Sequence, residues 1–171
     1  EEIQLLLQSF DLVANGKKEF TLIEGYSGTG KTSLVYEIHK PITAKNGNFI
    51  AGKFEQFQRD RPYYAIAEAV NGLVNIILTH SEEELEYWKK IISEAVGNEG
   101  KLLTDLVPNL ELVIGAQQPL ERLGLNEEIN RFNYLFIQFI KAICHRKHPL
   151  VLFIDDLQWI DSASLALIDE L

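Results

Sequence analysis

Apolar residues recur every three or four positions over much of the chain, which is the spacing of one face of an α-helix. In the first such stretch, Ile3, Leu6 and Phe10 share a face. Glycine, proline and helix-capping residues mark where the stretches begin and end. The predicted helices cover residues 1–14, 33–39, 62–78, the stretch between Ser81 and Gly97, 101–106, 126 to about 146, and 162–171.

Particular residues are predicted to set the helix ends. Ser81 and Glu84 have the spacing of a capping box, in which each side chain accepts a hydrogen bond from the other residue's backbone N–H. Asn126 and Asp161 are predicted to cap the helices that follow them. Pro41 is predicted to end the helix 33–39, because proline lacks the backbone N–H that a helix interior needs.

Three apolar, β-prone runs predict strands at residues 20–24, 48–54 and 150–154. The third run is continuous, which is typical of a strand buried on both faces of a parallel sheet. Helices separate the runs, so the pattern predicts an α/β fold with a helical insertion between strands two and three. The polar segment 55–61 is predicted to be a loop, and 108–124 is predicted to be the least regular part.

Length and composition favour a single domain over residues 1–171, with 46% hydrophobic residues and no internal repeat. The single cysteine, Cys144, is predicted to lie in the core, and its being alone suits a reducing, cytosolic setting. No signal peptide or run of about 18 apolar residues is evident, so no membrane segment is expected. Because the chain starts at Glu1 and ends at Leu171 inside a predicted helix, it is expected to be a fragment.

Residues 25–32 fit the phosphate-binding loop pattern G-x-x-x-x-G-K-[ST]. Glycines let backbone N–H groups turn towards phosphate oxygens, Lys31 reaches the β- and γ-phosphates, and the Thr32 hydroxyl is a ligand for Mg²⁺. A predicted strand before the loop and a helix after it supply the context that the motif requires. The predicted nucleotide-binding residues are Gly25, Ser27, Gly28, Thr29, Gly30, Lys31, Thr32 and Ser33.

The net charge of −9 argues against non-specific nucleic-acid binding, which needs a basic face. Nucleotide binding is still compatible with this charge, because a phosphate-binding loop supplies its own local positive field. The expected partner is therefore a nucleotide, and no nucleic acid is expected.

The third strand ends in Asp155 and Asp156, an arrangement typical of a Walker B element. Ligands bind at the carboxyl ends of parallel strands, so Asp155 is predicted to meet the phosphate loop and to hold Mg²⁺. Asp156 is predicted to accept a proton from the attacking water, and Lys31 is the second predicted catalytic residue. The alternative for Asp156 is a solvated carboxylate at a helix entry.

Several other chemistries lack a signature. There is no Asn-Lys-x-Asp motif for guanine, so ATP is the expected nucleotide. No Ser-His-Asp or Cys-His arrangement is evident. The four histidines lack metal-ligand spacing and are predicted to lie at the surface or at helix ends; they are His39, His80, His145 and His148.

Four segments together carry a family resemblance: the phosphate loop, GKFEQFQR at 52–59 with Pro62 and Tyr63, NRFN at 130–133, and LFIDDLQWIDSAS at 152–164. They resemble the AAA-type, STAND-class ATPase module of large bacterial multi-sensor signalling kinases. Such proteins join a Ser/Thr kinase-like domain, this ATPase, a GAF sensor region and a histidine kinase. The resemblance covers nearly the whole chain. The segment 52–63 narrows the choice among P-loop ATPase families.

The resemblance implies a P-loop NTPase of the additional-strand class that binds Mg-ATP and, in the complete protein, hydrolyses it as a regulatory switch. It also implies that the partners are other domains of the same cytoplasmic signalling polypeptide. A full module has a further strand carrying a polar sensor residue between strands one and three, followed by a helical lid. Both are absent from residues 1–171, so the domain is expected to be truncated at its C-terminal end.

Three alternatives remain open. A mechanical AAA ATPase acting on protein or DNA needs an arginine finger, for which the candidates are Arg59, Arg61, Arg122 and Arg131. A small-molecule kinase needs a substrate pocket and a lid with arginines. An interaction module binds nucleotide without turning it over.

Overall fold

The computed structural model describes residues 2–26, 28–58, 60–121, 123–144 and 148–171. Positions 1, 27, 59, 122, 145 and 146 of the predictions above, Ser27, Arg59, Arg122 and His145 among them, lie outside the described residues. Within the described part, the helices are α1 (Glu2–Ala14), α2 (Lys31–Glu37), α3 (His39–Ala44), α4 (Tyr64–Ile77), α5 (Glu82–Val96), α6 (Lys101–Leu106), α7 (Glu111–Ile114), α8 (Leu125–Ile143) and α9 (Ser162–Glu170).

Two strands, β1 (Asn48–Lys53) and β2 (Leu150–Asp155), pair in parallel. These are the second and third strands of the sequence prediction, and both are confirmed to within one residue at each end. Their register runs from Asn48 opposite Leu150 to Lys53 opposite Asp155. The last residues of the two strands therefore lie side by side at one edge of the sheet.

Alternate residues of the strands pack into two different hydrophobic clusters, because successive strand side chains point to opposite faces. On one face, Phe49 and its neighbours Val151 and Phe153 meet helices α1 to α3, which contribute Phe10 and Ile42. The opposite face packs against the larger cluster, which α4 to α9 supply. The sheet thus lies between two helical layers, and α2 is in the layer that leads from the phosphate loop.

The larger cluster belongs mainly to the helices that lie between β1 and β2 in sequence, as the predicted insertion requires. Its centre is formed by fully buried apolar side chains such as Leu73 of α4, Ile92 of α5 and Phe139 of α8. These helices bury their apolar faces against one another, so the insertion has a core of its own beside the sheet.

A polar network that begins at a buried bond ties this insertion to the last helix. The Tyr63 hydroxyl donates a hydrogen bond of 3.0 Å to Asn133 Oδ1, and Asn133 Nδ2 donates one of 3.4 Å to Glu170. The rings of Tyr63 and Phe132 lie 4.3 Å apart. Burial, together with the nearby charges of Asp161 and Glu170, raises the pKa of Tyr63. Tyr63, Phe132 and Asn133 belong to the segments that carry the family resemblance, and here they fix the packing.

Two of the predicted helix caps are confirmed. Ser81 Oγ accepts a bond from the Glu84 backbone N–H, and Glu84 accepts one from the Ser81 N–H, which completes the capping box. The Ser81 side chain also donates to Glu84, and this bond lowers the pKa of that carboxyl group. Asp161 accepts a bond of 2.8 Å from the Ser164 N–H at the start of α9.

Other predicted helix ends are wrong. Gly124, not Asn126, caps α8, and its N–H donates to Glu127 at 3.2 Å. Pro41 does not end a helix. Helix α2 ends before Ile38, and α3 begins at His39. Pro41 therefore lies in the first turn of α3, where its missing N–H has no partner to lose.

Two further helix starts differ, and two segments predicted to be irregular contain short helical turns. The phosphate-loop helix starts at Lys31 rather than residue 33, and α4 starts at Tyr64 rather than Pro62 because Tyr63 has a positive φ of 63°. The predicted irregular segment contains a 3₁₀ turn, Pro108–Leu110, and the short α7. The predicted loop 55–61 likewise contains a 3₁₀ turn, Gln56–Gln58.

The predicted first strand is not formed. Residues 20–24 have no ladder partner among the described residues, and Phe20 and Leu22 are 75% and 55% exposed. The prediction for β2 also needs correction, since each of its residues is only half-buried. Both differences have the same cause: β2 pairs with β1 on one side, and no described strand pairs with its other side. Cys144, predicted in the core, is exposed just beyond the end of α8.

Gly52 is predicted to be irreplaceable for packing, because an added Cβ would lie 1.8 Å from the carbonyl oxygen of Ala65 in α4. Gly52→Ala should lower the free energy of unfolding by about 1–3 kcal/mol or more, since the strand and helix must separate. Gly72→Ala is the matched control: no atom lies within 4 Å of its Cβ position, so it should stabilise α4 by about 0.5–1 kcal/mol. Urea unfolding measures both, and equal stability of the two variants would contradict the packing described.

Candidate functional site

The phosphate loop and the acid at the end of β2 meet in the structure. Thr32, in the first turn of α2, donates a hydrogen bond of 3.0 Å from its hydroxyl to Asp155 Oδ2 at the end of β2. The two residues are 123 positions apart in sequence. The predicted pair of metal-binding residues is therefore brought together by the packing of α2 on the sheet.

The loop before α2 turns through two glycines with left-handed backbone conformations. Gly28 has a φ of 82° and Gly30 a φ of 84°, values that residues with a Cβ seldom adopt. Thr29 stabilises the turn by donating from its hydroxyl to the Tyr26 carbonyl at 2.8 Å. Gly28, Thr29 and Gly30 are all exposed, so this part of the loop faces solvent.

Lys31 lies over the loop that precedes it. Its Nζ donates to the carbonyl oxygens of Gly25 and Tyr26, each at 2.8 Å. The ammonium group is thus positioned above the loop, on the side where phosphate oxygens would lie in this motif. Ser33 is exposed in the first turn of α2 and extends the same surface.

Asp155 and Asp156 have different partners although they are adjacent. The Asp156 backbone N–H donates to Asp155 Oδ1 at 2.9 Å, so both oxygens of Asp155 are engaged. Asp156 has a φ of 55°, which is uncommon for a residue other than glycine. This conformation turns the chain at the end of the strand, and the Asp156 carbonyl accepts a bond from Trp159 in the following 3₁₀ turn.

Lys53 is not among the predicted site residues, yet its Nζ lies 3.2 Å from Asp156 Oδ2. The hydrogen bond to Asp156 and the charge of that carboxylate raise the pKa of Lys53. The signal in the sequence was the position of Lys53 at the end of its strand. The contact depends on the strand register, which sets Lys53 opposite Asp155. The sequence alone does not give that register.

The oxygen atoms of Thr32 and Asp155 fit a magnesium ion. Mg²⁺ prefers hard oxygen ligands, and at phosphate sites it takes one or two from the protein and the rest from water and phosphate. Among the described residues, no group of three or more His, Cys, Asp or Glu side chains is arranged to hold a metal by itself. A hydroxyl and a carboxylate side by side supply the one or two protein ligands that Mg²⁺ takes at such sites.

The two arginine-finger candidates that the structure describes make contacts within the insertion. Arg131 pairs with Glu99 at 3.0 Å. The guanidinium carbon of Arg61 lies 5.3 Å from the centre of the Tyr64 ring. The Arg131 contact thus joins α8 to the turn that contains Glu99, and the Arg61 contact is local to the start of α4.

The described histidines contact aromatic rings. His80 Nδ1 accepts a bond of 3.2 Å from Trp88, whose ring also contacts His148. His39 packs edge-on against Phe49, with ring centres 5.2 Å apart. These contacts account for the three histidines as packing residues. No helix in the described part of the chain has the length and apolarity needed to cross a bilayer.

The sequence model of one protein family, described as an AAA ATPase domain, matches residues 1–171. The chain belongs to the AAA ATPase domain family. This membership supports nucleotide binding and agrees with the phosphate loop and the strand-end acid described above.

Two curated proteins are similar to this AAA ATPase domain. Hybrid signal transduction histidine kinase G of Dictyostelium discoideum is 39% identical over 168 residues, which cover 98% of this chain and 5% of that protein. Histidine protein kinase 1 of Candida albicans is 26% identical over 179 residues, covering 95% of this chain and 7% of that protein. The chain thus spans a small part of these relatives. No solved structure matches it.

The comparisons confirm the coarser part of the resemblance, an AAA-type ATPase domain of the kind found in signalling kinases. Both relatives come from eukaryotes, so the bacterial and STAND assignments remain predictions.

Lys31→Ala should weaken the binding of Mg-ATP at least about tenfold, or roughly 1.4 kcal/mol, because a charge-assisted contact to phosphate is lost. Isothermal titration calorimetry measures the affinity. Lys18→Ala is the control, since it removes the same charge from an exposed position of the same N-terminal segment. Equal affinities of Lys31→Ala and the parent protein would refute the phosphate role of Lys31.

Proposed function

We propose that this AAA ATPase domain binds Mg-ATP and hydrolyses it slowly as a regulatory switch in a signalling protein. The observation that carries the proposal is the 3.0 Å hydrogen bond between Thr32 and Asp155, which joins the two halves of a magnesium–nucleotide site. The pairing of β1 with β2 supports it, because parallel strands present their carboxyl ends, and hence their ligands, at one edge.

The proposed reaction is an in-line attack of water on the γ-phosphate. Lys31 stabilises the negative charge that develops on the phosphate oxygens, and the loop from Gly25 to Ser33 holds the phosphates in place. Asp156 accepts the proton of the attacking water. Thr32 and Asp155 would hold Mg²⁺, which would neutralise charge on the phosphates.

The proposed partners are other domains of the same polypeptide in a cytosolic setting. The two relatives are named histidine kinases and are far longer than this chain, which supports a role inside a large signalling protein. The charge of −9 supports protein domains over nucleic acid as partners.

A nucleotide-binding module without turnover is the second candidate. It is favoured by the ion pair between Lys53 and Asp156, because a carboxylate oxygen in an ion pair is less available to accept a proton. The two candidates share every residue of the binding site and differ only in what Asp156 does.

Substitution of the two acids separates these candidates. Asp155→Ala should remove the Mg²⁺ dependence of ATP binding, because its carboxylate bonds the Thr32 hydroxyl at the metal position. Asp156→Asn should leave ATP affinity unchanged and lower turnover about 100-fold or more, the usual contribution of a general base. Calorimetry and phosphate release from the full-length natural protein measure the two effects. Parental turnover in Asp156→Asn would show that this carboxylate is not the base.

We further propose that the sheet belongs to the additional-strand class, in which another strand lies between residues 20–24 and β2. The exposure of Phe20 and Leu22 supports this arrangement, since a neighbouring strand would give that segment a ladder and β2 its second edge partner. Buried backbone groups without hydrogen-bond partners are costly. Residues 20–24 would therefore form a strand only where the additional strand supplies those partners.

A longer piece of the natural protein that includes the proposed strand should therefore be more stable than residues 1–171 and aggregate less. Thermal melts together with light scattering compare the two chains. If both melt at the same temperature and residues 1–171 stay monomeric, the proposed strand order is wrong.

A further inference from the structure

The contact between Lys53 and Asp156 joins the ends of the two strands at the site. Lys53 is the last residue of β1 and lies opposite Asp155 in the register, so its side chain starts next to the acid pair. Its Nζ reaches past Asp155 to Asp156 Oδ2 at 3.2 Å. The contact is therefore set by the alignment of the sheet.

The backbone from which Lys53 extends is held on several sides. The Lys53 N–H donates to Glu68 Oε2 of α4 at 2.9 Å, and the next residue, Phe54, donates to the Asp155 carbonyl at 3.1 Å. Gly52 lies directly against the backbone of Ala65. The backbone that carries the Lys53 side chain is thus held in place, as is needed for a group that orients a neighbour.

Stability does not explain the pair. The side chains of Lys53 and Asp156 are 56% and 37% exposed, and ion pairs as exposed as this one add little to stability. Asp156, by contrast, has the positive φ described above, a conformation that residues other than glycine adopt at a cost and that clusters at functional sites. Lys53 contacts the carboxylate of Asp156 while the Asp156 backbone has that conformation.

We propose that Lys53 is a positioning residue that orients the Asp156 carboxylate for proton transfer during ATP hydrolysis. This inference rests on the proposed function, because it needs Asp156 to be the base. Lys53 acts through Asp156, and ATP binding stays with Lys31, Thr32 and Asp155. Loss of the lysine should therefore change turnover and leave nucleotide affinity as it is.

The test uses Lys53→Met and Lys53→Arg in the full-length natural protein. Lys53→Met should lower kcat about tenfold and leave KM and the calorimetric ATP affinity within about twofold, since part of the general-base contribution is lost. Lys53→Arg keeps the charge and reach, and it should recover at least about half of the parental kcat. Lys101→Met is the matched control, because Lys101 forms an exposed ion pair with Asp105 at 2.7 Å in the insertion.

A double variant shows whether Lys53 acts through Asp156. In an Asp156→Asn background, Lys53→Met should lower kcat no further, because the group that it orients is already gone. A further tenfold loss in that background would overturn the inference. Unchanged or increased kcat in Lys53→Met would overturn it as well, and so would an ATP affinity that falls tenfold or no recovery by Lys53→Arg.

The outcomes also distinguish the inference from the proposed function. If Asp156→Asn abolishes turnover while Lys53→Met turns over normally, Asp156 is the base and only the positioning role fails. If Asp156→Asn turns over at the parental rate, the base assignment fails and the positioning role fails with it. The melting temperatures of all variants should lie within a few degrees of the parent. The kinetic effects then come from the site and not from a loss of stability.

Discussion

The hydrogen bond between Thr32 and Asp155 is the contact on which the candidate site depends. It requires α2 to pack on the sheet so that its first turn reaches the end of β2. That packing comes from apolar residues that alternate along both strands and from the buried face of α1 to α3, with Phe49 and Ile42 among them. A small hydrophobic cluster therefore fixes the distance between two groups that are far apart in sequence.

The insertion is accommodated because it uses the opposite face of the sheet. Its helices bury their apolar residues in the larger cluster, which reaches the sheet through residues such as Ile50 and Leu152. The buried bond from Tyr63 to Asn133 and the partly buried bond from Asn133 to Glu170 then join it to α9, the helix that follows the acids. The segments that narrow the family resemblance thus include residues whose described role is packing rather than chemistry.

The sequence predicted what depends on local signals. The glycine loop, the capping box of Ser81 and Glu84, and the apolar run that ends in two acids each carry their information within a few residues. Some local predictions failed by a few residues, such as the cap at Asn126 and the helix end at Pro41. The other failures arose where a distant neighbour decides the outcome. Residues 20–24 have the composition of a strand but no described partner, and a strand is defined by its ladder. Lys53 was missed for the same reason, since only the register sets it beside Asp155.

In the proposed function, nucleotide binding and turnover depend on different contacts. Lys31 and the pair of Thr32 and Asp155 belong to the phosphate loop and its metal position, and they need only α2 and the end of β2. Asp156 is held instead by a residue of β1, through an exposed ion pair that little free energy suffices to open. The backbone N–H of Lys53 also donates to Glu68 of α4, so the end of β1 is tied to the insertion. This separation of contacts is compatible with the proposed switch, in which the nucleotide stays bound while the rate of hydrolysis changes.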